Sequence, residues 1–337
     1  MSESGEGAQT PTLFLTDSDV EHLSSWEDAV HAIRVAYEGE MSDRRNPGRI
    51  FASSDREWIR IMPSVPSSGM YFGYKSITGV AADGMRVAYL ISLFSKETGD
   101  LVALLDGNRV TGLRTAATTA VGAEKMTPTS PVTLGIIGSG FEARSHALAL
   151  SRVLNLAGAK VYSPTEQNRL RFASDISKEL GIPVVATESA ESAVLDADLI
   201  LCAARSADET PTIQAEWVGP HATVISIGST TPAQRELPAE LLARAHVIVA
   251  DTLEEVLHGS GDLIDARKQG IDVDSKTVAL SEVVSGRHAL DVESGIRIYK
   301  STGSGIQDIV VAEMLVNRAK AMGIGTELGV GIVTTRK

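Results

Sequence analysis

The chain has 337 residues, 43% of them hydrophobic and 22% charged, proportions that suit a globular enzyme of about two domains. Its net charge of -12 argues against a nucleic-acid or anionic-membrane partner, because both present phosphates that need compensating cations. No apolar run reaches the ~20 residues of a membrane span, the lone cysteine, Cys202, excludes an intrachain disulfide, and no Cys/His cluster has the spacing of a zinc site, so no metal is expected.

Residues 1–10 are polar and rich in Gly, Ser and Glu. They lack the basic and apolar regions of a secretory signal and read as a disordered tail, which with the single cysteine points to a cytoplasmic protein. A helix is expected over 17–39, with Ala29, Val30, Ile33, Val35 and Ala36 on one apolar face. Strand-like runs follow at 57–62, 71–77, 86–94 and 101–105, and Ser95 to Asp100 has the composition of a hairpin turn. Runs joined in this way make an antiparallel sheet. The segment 111–126 reads as a helix of small residues that lets a backbone or a cofactor approach closely.

From Val132 the pattern changes. Strands are expected at 134–137, 160–162, 183–186, 199–203, 223–227 and 247–250. Helical stretches lie between most of them, such as 166–180 with Leu170, Phe172, Ala173, Ile176 and Leu180 facing inward. Alternation of this kind implies an α/β fold with a parallel, doubly wound sheet of Rossmann type. A last helix over 306–322 is expected to return to the first domain. The domains are then 11–128 with 305–337, a discontinuous α+β domain, and 129–304, a nucleotide-binding domain.

The most informative segment is Val132 to Leu150, in which an apolar strand runs into Gly138-x-Gly140-x-x-Ala143 and then a helix. Gly138 permits the tight turn, Gly140 lets the backbone approach a pyrophosphate, and Ala143 keeps the helix close to its strand. The helix N-terminus offers amides and partial positive charge to the phosphates. A glycine turn serving only strand–helix packing is the alternative, and the alternating elements that follow favour the dinucleotide site. NAD sites usually carry an acid about 20 residues further on, at the ribose 2′-hydroxyl. Here Ser163 holds that position, with Thr165 and Arg169 nearby. A hydroxyl beside an arginine suits a 2′-phosphate, so NADP(H) is expected to be favoured over NAD(H).

Three segments ahead of the nucleotide fold carry cations: Pro47 to Arg49, Gly73 to Gly79 around Lys75, and Gly112 to Thr118 around Arg114. With Leu113-Arg-Thr-Ala-Ala-Thr118, Leu134 to Arg144, Gly228 to Leu237 and Ile298 to Asp308 in that order, the chain from about Leu13 resembles the ornithine cyclodeaminase/mu-crystallin family. The resemblance implies that the discontinuous domain binds substrate and forms a homodimer. It also implies that Arg49, Lys75 and Arg114 surround a substrate carboxylate. A guanidinium fork binds a carboxylate bidentately, and Lys75 is the acid/base candidate, because burial among cations lowers a lysine pKa. Toward the cofactor, the resemblance implies Arg114 and Thr115 near the pyrophosphate and Phe141 and Glu142 at the glycine turn. It likewise sets Ser163 at the adenosine ribose, and Ala204, Val224, Ile225, Ser226 and Ser301 along the nicotinamide half. Cys202 reads as core and His146 as a packed or capped residue.

One departure from the family pattern is informative. Ornithine cyclodeaminases carry a catalytic Asp two residues after the first glycine of the loop 228–234, where this chain has Thr230. A hydroxyl is a poor substitute for a carboxylate in proton transfer. The expectation is therefore an NAD(P)H-dependent oxidoreductase acting on the C=N or CH–NH bond of small 2-imino or 2-amino carboxylates. The alternatives are a cyclodeaminase-like ammonia lyase using bound NAD, and a binding protein without turnover. Met85 and Arg86 are weak candidates for the wall of the substrate pocket.

Overall fold

The computed structural model describes residues 11–82, 84–204, 206, 208–329 and 334–335. The tail expected at 1–10 lies outside them. The described residues form two compact units, one up to Arg114 and again from Ser304, the other from Thr115 to Gly303. The division falls inside a helix, Gly107–Met126, where the sequence suggests a boundary after residue 128.

The first unit begins with β1 (Thr12–Leu15), α1 (Asp17–Leu23) and α2 (Trp26–Glu38). The single helix expected over 17–39 is thus two. Thr16 caps α1 reciprocally with Asp19, and Ser25 caps α2 through the Asp28 amide at 3.2 Å, so the Ser24–Ser25 pair stops one helix and starts the next. Strands β2 (Ile50–Ser53), β3 (Glu57–Ser64), β4 (Tyr71–Ala82), β5 (Gly84–Ser95) and β6 (Leu101–Asp106) follow, then α3 (Gly107–Met126).

In the second unit come β7 (Val132–Ile137), α4 (Phe141–Leu150), β8 (Leu156–Tyr162), α5 (Glu166–Leu180), β9 (Val184–Ala186), α6 (Ala190–Val194), β10 (Leu199–Cys202) and β11 (Thr223–Ser226). They are followed by α7 (Ala239–Arg244), β12 (Ala245–Ala250), α8 (Leu253–Gly259), α9 (Gly261–Lys268), β13 (Thr277–Ala279), α10 (Leu280–Val284) and β14 (Ile296–Lys300). The chain then returns to the first unit as α11 (Gly305–Met322) and β15 (Thr326–Leu328).

Among the described residues, the first unit's sheet has the order β15-β1-β6-β5-β4-β3-β2. The expected meander β3 to β6 is antiparallel, whereas β1 inserts parallel to β6 and antiparallel to β15. These short end strands carry too few residues for a period-two pattern to stand out. Helix α11 packs on β3, β4 and β5 and on α2. The apolar face expected on α2 is buried except for Val35, which is 38% exposed.

The second unit's sheet is parallel throughout, in the order β13-β12-β14-β11-β10-β7-β8-β9. It includes β13 and β14, which the sequence pattern does not reveal. Strand β14 inserts between β11 and β12, and its Arg297 is fully buried. A charge in the middle of a strand hides a buried run. Here the guanidinium donates to the carbonyls of Met126 at 2.7 Å, Gly295 at 3.0 Å and His221 at 2.6 Å, and to Thr223 Oγ1 at 3.2 Å. On α3, Gly122 faces the Tyr299 ring, where a Cβ would stand 2.8 Å from it. The close approach that its small residues permit is therefore made, for Gly122, by the sheet itself. On α5 the inward face is Phe172, Ala173 and Ile176, while Leu170 points out, 54% exposed, and Leu180 is half-buried.

The chain order reverses between β7 and β10: from β7 it builds outward to β9, then crosses to β10 on the other side. Such a reversal opens a crevice at the carboxyl ends of the two strands, which is where open α/β sheets take ligands.

Candidate active site

Strand alternation puts Lys75 inside. On β4, Gly73, Lys75, Ile77 and Gly79 share the buried face, and Lys75 pairs with Met62 and Ile91 on the neighbouring strands. Helix α11 covers this face. Its approach depends on Gly305, because a Cβ there would stand 2.6 Å from the Met62 carbonyl oxygen. That approach brings Asp308, in the first turn of α11, onto Lys75. The Nζ donates to Asp308 Oδ1 at 2.7 Å, and both side chains are fully buried. An acid in the first turn also suits the helix dipole.

Arg114, 6% exposed, completes the cluster. Its Nε donates to the same Asp308 Oδ1 at 3.1 Å and its Nη1 to Gln307 Oε1 at 2.6 Å. Gln307 in turn donates to the Tyr37 hydroxyl at 2.9 Å, and Lys75 reaches Thr111 Oγ1 at 3.4 Å. One carboxylate oxygen thus serves two cations, while Asp308 Oδ2, also buried, has no hydrogen-bond partner among the described residues. The Lys75 ammonium is pushed down from 10.5 to about 7, first by burial and then by the charge of Arg114; Asp308 opposes this, and Arg49 adds to it. Arg49 is half-buried, in the segment before β2. The three expected substrate cations are therefore in electrostatic range of one another.

Met85 and Arg86 do not belong here. Met85 pairs with Ala81, six residues along β4 from Lys75, or about 20 Å at the strand rise. It is 59% exposed.

In the second unit the glycine turn has the form a pyrophosphate requires. Gly138 sits at φ +116°, and a Cβ there would meet the Ala203 carbonyl oxygen at 2.6 Å. A Cβ on Gly140 would meet nothing within 4 Å, which leaves open space above the turn. Gly140 also starts α4 without a side-chain cap, so the first-turn amides remain available to an anion. Ala143 is buried against the sheet, Phe141 is exposed and Glu142 is half-buried. A cleft beside the turn is lined by Ser139, Gly140, Phe141, Arg144, Asn168 and Phe172. These features fit a dinucleotide.

At the end of β8 no acid intervenes. Ser163 is buried and its Oγ accepts from Ser139 Oγ at 2.8 Å. Arg169 donates to the Ser163 carbonyl at 3.2 Å and lies over the Tyr162 ring. Thr165 starts α5 without capping it through its side chain.

The residues expected along the nicotinamide half are more enclosed. Val224 and Ile225 are core side chains of β11, leaving their backbone rather than their side chains for any ligand. Ala204 is half-buried beside Gly138, and Thr115 on α3 is half-buried. Ser301 donates to Asp251 Oδ2 at 2.7 Å, and the same carboxylate accepts the amides of Thr302 and Gly303 at 3.0 and 2.8 Å. Ser226 belongs to a buried network: it donates to Glu236 Oε2 at 2.6 Å and accepts from Lys300 at 2.6 Å, which also contacts Asp262 at 2.7 Å. Thr230 directs its amide and its hydroxyl at Gln234 Oε1, at 3.0 and 3.3 Å. Cys202 is buried on β10, and burial pushes its thiol pKa up, which suits a core residue. His146 is packed, with Nδ1 2.8 Å from the Glu142 carbonyl oxygen.

Sequence reasoning missed Asp308, Gln307 and the Glu236–Lys300–Asp262 network. Asp308 had a signal: an acid and an amide on the first turn of a helix, just ahead of the apolar run Ile309 to Ala312.

The model of the ornithine cyclodeaminase/mu-crystallin family matches residues 10–323 of the chain. A Delta(1)-pyrroline-2-carboxylate reductase from Bacillus cereus is 28% identical over 287 residues, 83% of this chain and 87% of that one. The solved Delta(1)-pyrroline-2-carboxylate reductase of Thermococcus litoralis, in complex with NADH and L-proline, aligns with a TM-score of 0.84 at 27% identity over 94% of this chain and 100% of its own. An archaeal alanine dehydrogenase dimer with bound NAD aligns with a TM-score of 0.85 at 27% identity over 95% of this chain and 99% of its own.

Proposed function

The chain belongs to the ornithine cyclodeaminase/mu-crystallin family, and from that premise we propose that it is an NAD(P)H-dependent oxidoreductase of small 2-imino or 2-amino carboxylates. The observation that carries this reading is the buried cluster of Lys75, Asp308 and Arg114, in which the lysine titrates at about 7. A group with that pKa gives and takes protons at neutral pH. Relatives that reduce a cyclic imino acid and one that acts on alanine point to the same bond.

Arg49 and Arg114 supply the charge that holds the substrate carboxylate. Lys75 holds the proton that passes to the substrate nitrogen as C=N becomes CH–NH. Asp308 uses Oδ1 to orient Lys75 and offers Oδ2 to an N–H of the substrate. The glycine turn and the first-turn amides of α4 would hold the pyrophosphate of a nicotinamide cofactor, whose chemistry there would be hydride transfer. The reverse direction is amino-acid oxidation, with Lys75 taking the proton. Positioning and preorganised charge provide most of the rate.

NADP(H) is the favoured cofactor, because Ser163 replaces an acid and Arg169 lies beside it. The substrate domain also forms a homodimer. By register, Ile50, Ile59, Val80 and Leu90 share the sheet face opposite Lys75, and they are 61, 38, 38 and 39% exposed. An apolar face of this kind marks an interface. Val80→Asp is expected to yield monomers by light scattering. The buried, unpaired cysteine accords with a cytoplasmic setting.

Turnover is tested by following nicotinamide absorbance with NADPH and NADH against cyclic and linear 2-imino acids. Substrate-dependent oxidation of the cofactor is expected. No oxidation with any of them, together with ammonia release from diamino acids, overturns the assignment in favour of a lyase.

A further inference from the structure

The exit of β11 is gripped from below by charges that the reaction above does not use. Ser226, Glu236, Asp262 and Lys300 are each no more than 1% exposed. Glu236 Oε2 accepts from Ser226 Oγ at 2.6 Å and from the Gly228 amide at 2.9 Å. Lys300 donates to Ser226 Oγ and to Asp262 Oδ2. Because Ser226 has one hydroxyl proton and already accepts from Lys300, that proton must point to Glu236. Asp262 Oδ1 accepts the amides of Glu236 and Leu237 at 2.7 and 3.1 Å, which fixes the backbone that carries Glu236. The carboxyl also lies directly beneath the loop, since a Cβ on Gly228 would stand 2.6 Å from Glu236 Oε1. That oxygen has no partner among the described residues.

The charges do not balance. Two carboxylates face one ammonium, out of water. The groups facing Glu236 are Lys300 from β14, Asp262 from α9, Cys202 from β10, and Ser226 with the Gly228 amide from β11 and its exit. None of them supplies a second cation, so one proton is easily accommodated, and Oε1 is where it goes.

We propose that Glu236 is a positioning residue whose ionised carboxylate holds Ser226 and Gly228 in place, so that affinity for the nicotinamide cofactor follows the ionisation of Glu236. The inference rests on the reading that the nicotinamide half binds along the exit of β11. Ionised, Glu236 makes two charge-assisted hydrogen bonds to that segment; protonated, it makes two neutral ones of roughly half the strength. Burial pushes its pKa up from 4.5 to about 7, with Lys300, Ser226 and Gly228 opposing and Asp262 reinforcing, so the change falls within reach of experiment.

The test is the dissociation constant of NADPH or NADH, whichever binds more tightly, read by cofactor fluorescence without substrate from pH 5.5 to 8.5. In the unsubstituted protein it is expected to weaken about three- to tenfold as the pH falls through about 7, the loss of about one charge-assisted increment. Glu236→Gln is expected to remove this response. Asp262→Asn, checked for folding by circular dichroism, is expected to move it to lower pH, because Asp262 raises the Glu236 pKa. Lys75→Met is expected to leave it unchanged. Binding with the same pH response in the unsubstituted protein and in Glu236→Gln overturns this inference alone. A flat response in the unsubstituted protein does so too. No cofactor binding at any pH overturns the nicotinamide reading itself.

Discussion

Asp308→Asn separates orientation from charge in the substrate cluster. The amide keeps the shape of the carboxylate and its Oδ1 can still accept from Arg114, but the negative charge 2.7 Å from Lys75 is lost. An opposite charge at such a distance moves a pKa by about 1 to 3 units. Lys75 stands at about 7 with Asp308 present, and Asp308 is among the causes that raise it. Without that charge it should titrate between about 4 and 6. The ammonium fraction at pH 7 then drops from about one half to between about one tenth and one thousandth, so imine reduction should slow about 5- to 500-fold. Stability should suffer less. Breaking a buried ion pair costs about 3–5 kcal/mol when a charge is stranded, but Lys75 can shed its proton instead, which leaves about 1–3 kcal/mol for the weakened hydrogen bonds.

The assay is kcat/KM for reduction between pH 5 and 9, because this parameter reports the pKa values of the free enzyme. Activity should fall as the pH rises through about 7 in the unsubstituted enzyme, since in the proposed reaction the ammonium is the proton donor. In Asp308→Asn that fall should move to lower pH, with activity partly recovered at pH 5. Titration of the substrate itself is common to both proteins and cancels in the comparison. A fall that remains near pH 7 in the variant, or a loss equal at every pH, refutes the assignment of Lys75 as the proton donor tuned by Asp308.

Three further outcomes follow from the same physics. Ser163→Asp should lower kcat/KM with NADPH about tenfold or more while sparing NADH, because a carboxylate repels the 2′-phosphate and accepts from a 2′-hydroxyl; parallel kinetics with the two cofactors check it. Arg297→Met should cost about 1–3 kcal/mol in urea unfolding, because it leaves the buried Met126 carbonyl, and the part-buried carbonyls of Gly295 and His221, without this donor. Glu236 has a folded pKa raised above its unfolded value, so the stability it contributes is complete below about 4.5 and is lost as the pH rises to about 7. The unfolding free energy of the unsubstituted protein should therefore fall relative to Glu236→Gln across that interval, by on the order of 3 kcal/mol, and then run parallel to it.

Much of the fold was legible because its signals are local. The turn announces itself through Gly138, whose backbone conformation favours glycine, and through the open space at Gly140, and the meander from β3 to β6 through alternation and a turn at Ser95 to Asp100. Lys75 and Arg114 stood out as charges within apolar segments. Asp308 did not, because what makes it a candidate is an encounter across more than two hundred residues with Lys75, which no spacing encodes. Strand β14 was hidden for a related reason: Arg297 and Lys300 make it look exposed, and only carbonyls and carboxylates from distant elements explain how those charges are buried. The break between α1 and α2 was present in the sequence as Ser24–Ser25, but the apolar periodicity on either side outweighed it.

Proton accounting in the substrate cluster constrains the reaction further. Lys75 and Arg114 share one carboxylate, Asp308, with the positive charge of Arg49 in range of Lys75, so protonating Lys75 adds one positive charge to those already there. A bound carboxylate removes one of these. Protonated Lys75 then tolerates a neutral imine but repels an iminium, whereas neutral Lys75 admits the iminium. The pair consequently holds one proton between the lysine and the substrate nitrogen, and Asp308, touching Lys75 through Oδ1 with Oδ2 still available, can stabilise it at either place. Reduction consumes that proton as the C–H bond forms, because a hydride alone would leave a nitrogen anion in a buried site. Oxidation returns it to Lys75. With the lysine near 7, neither direction has to lift the proton far from neutral solution, and a modest change of pH shifts the balance between them. Acid conditions favour reduction and alkaline conditions favour oxidation. The ratio of the two initial rates, measured with the same substrate pair and saturating cofactor, should fall about tenfold for each pH unit above 7, one proton being taken up per turnover in one direction and released in the other. The stoichiometry gives that slope whichever group hands over the proton, so the Lys75 assignment rests on the two rates taken separately: reduction should fall and oxidation rise across about pH 7, and profiles without either bend refute it.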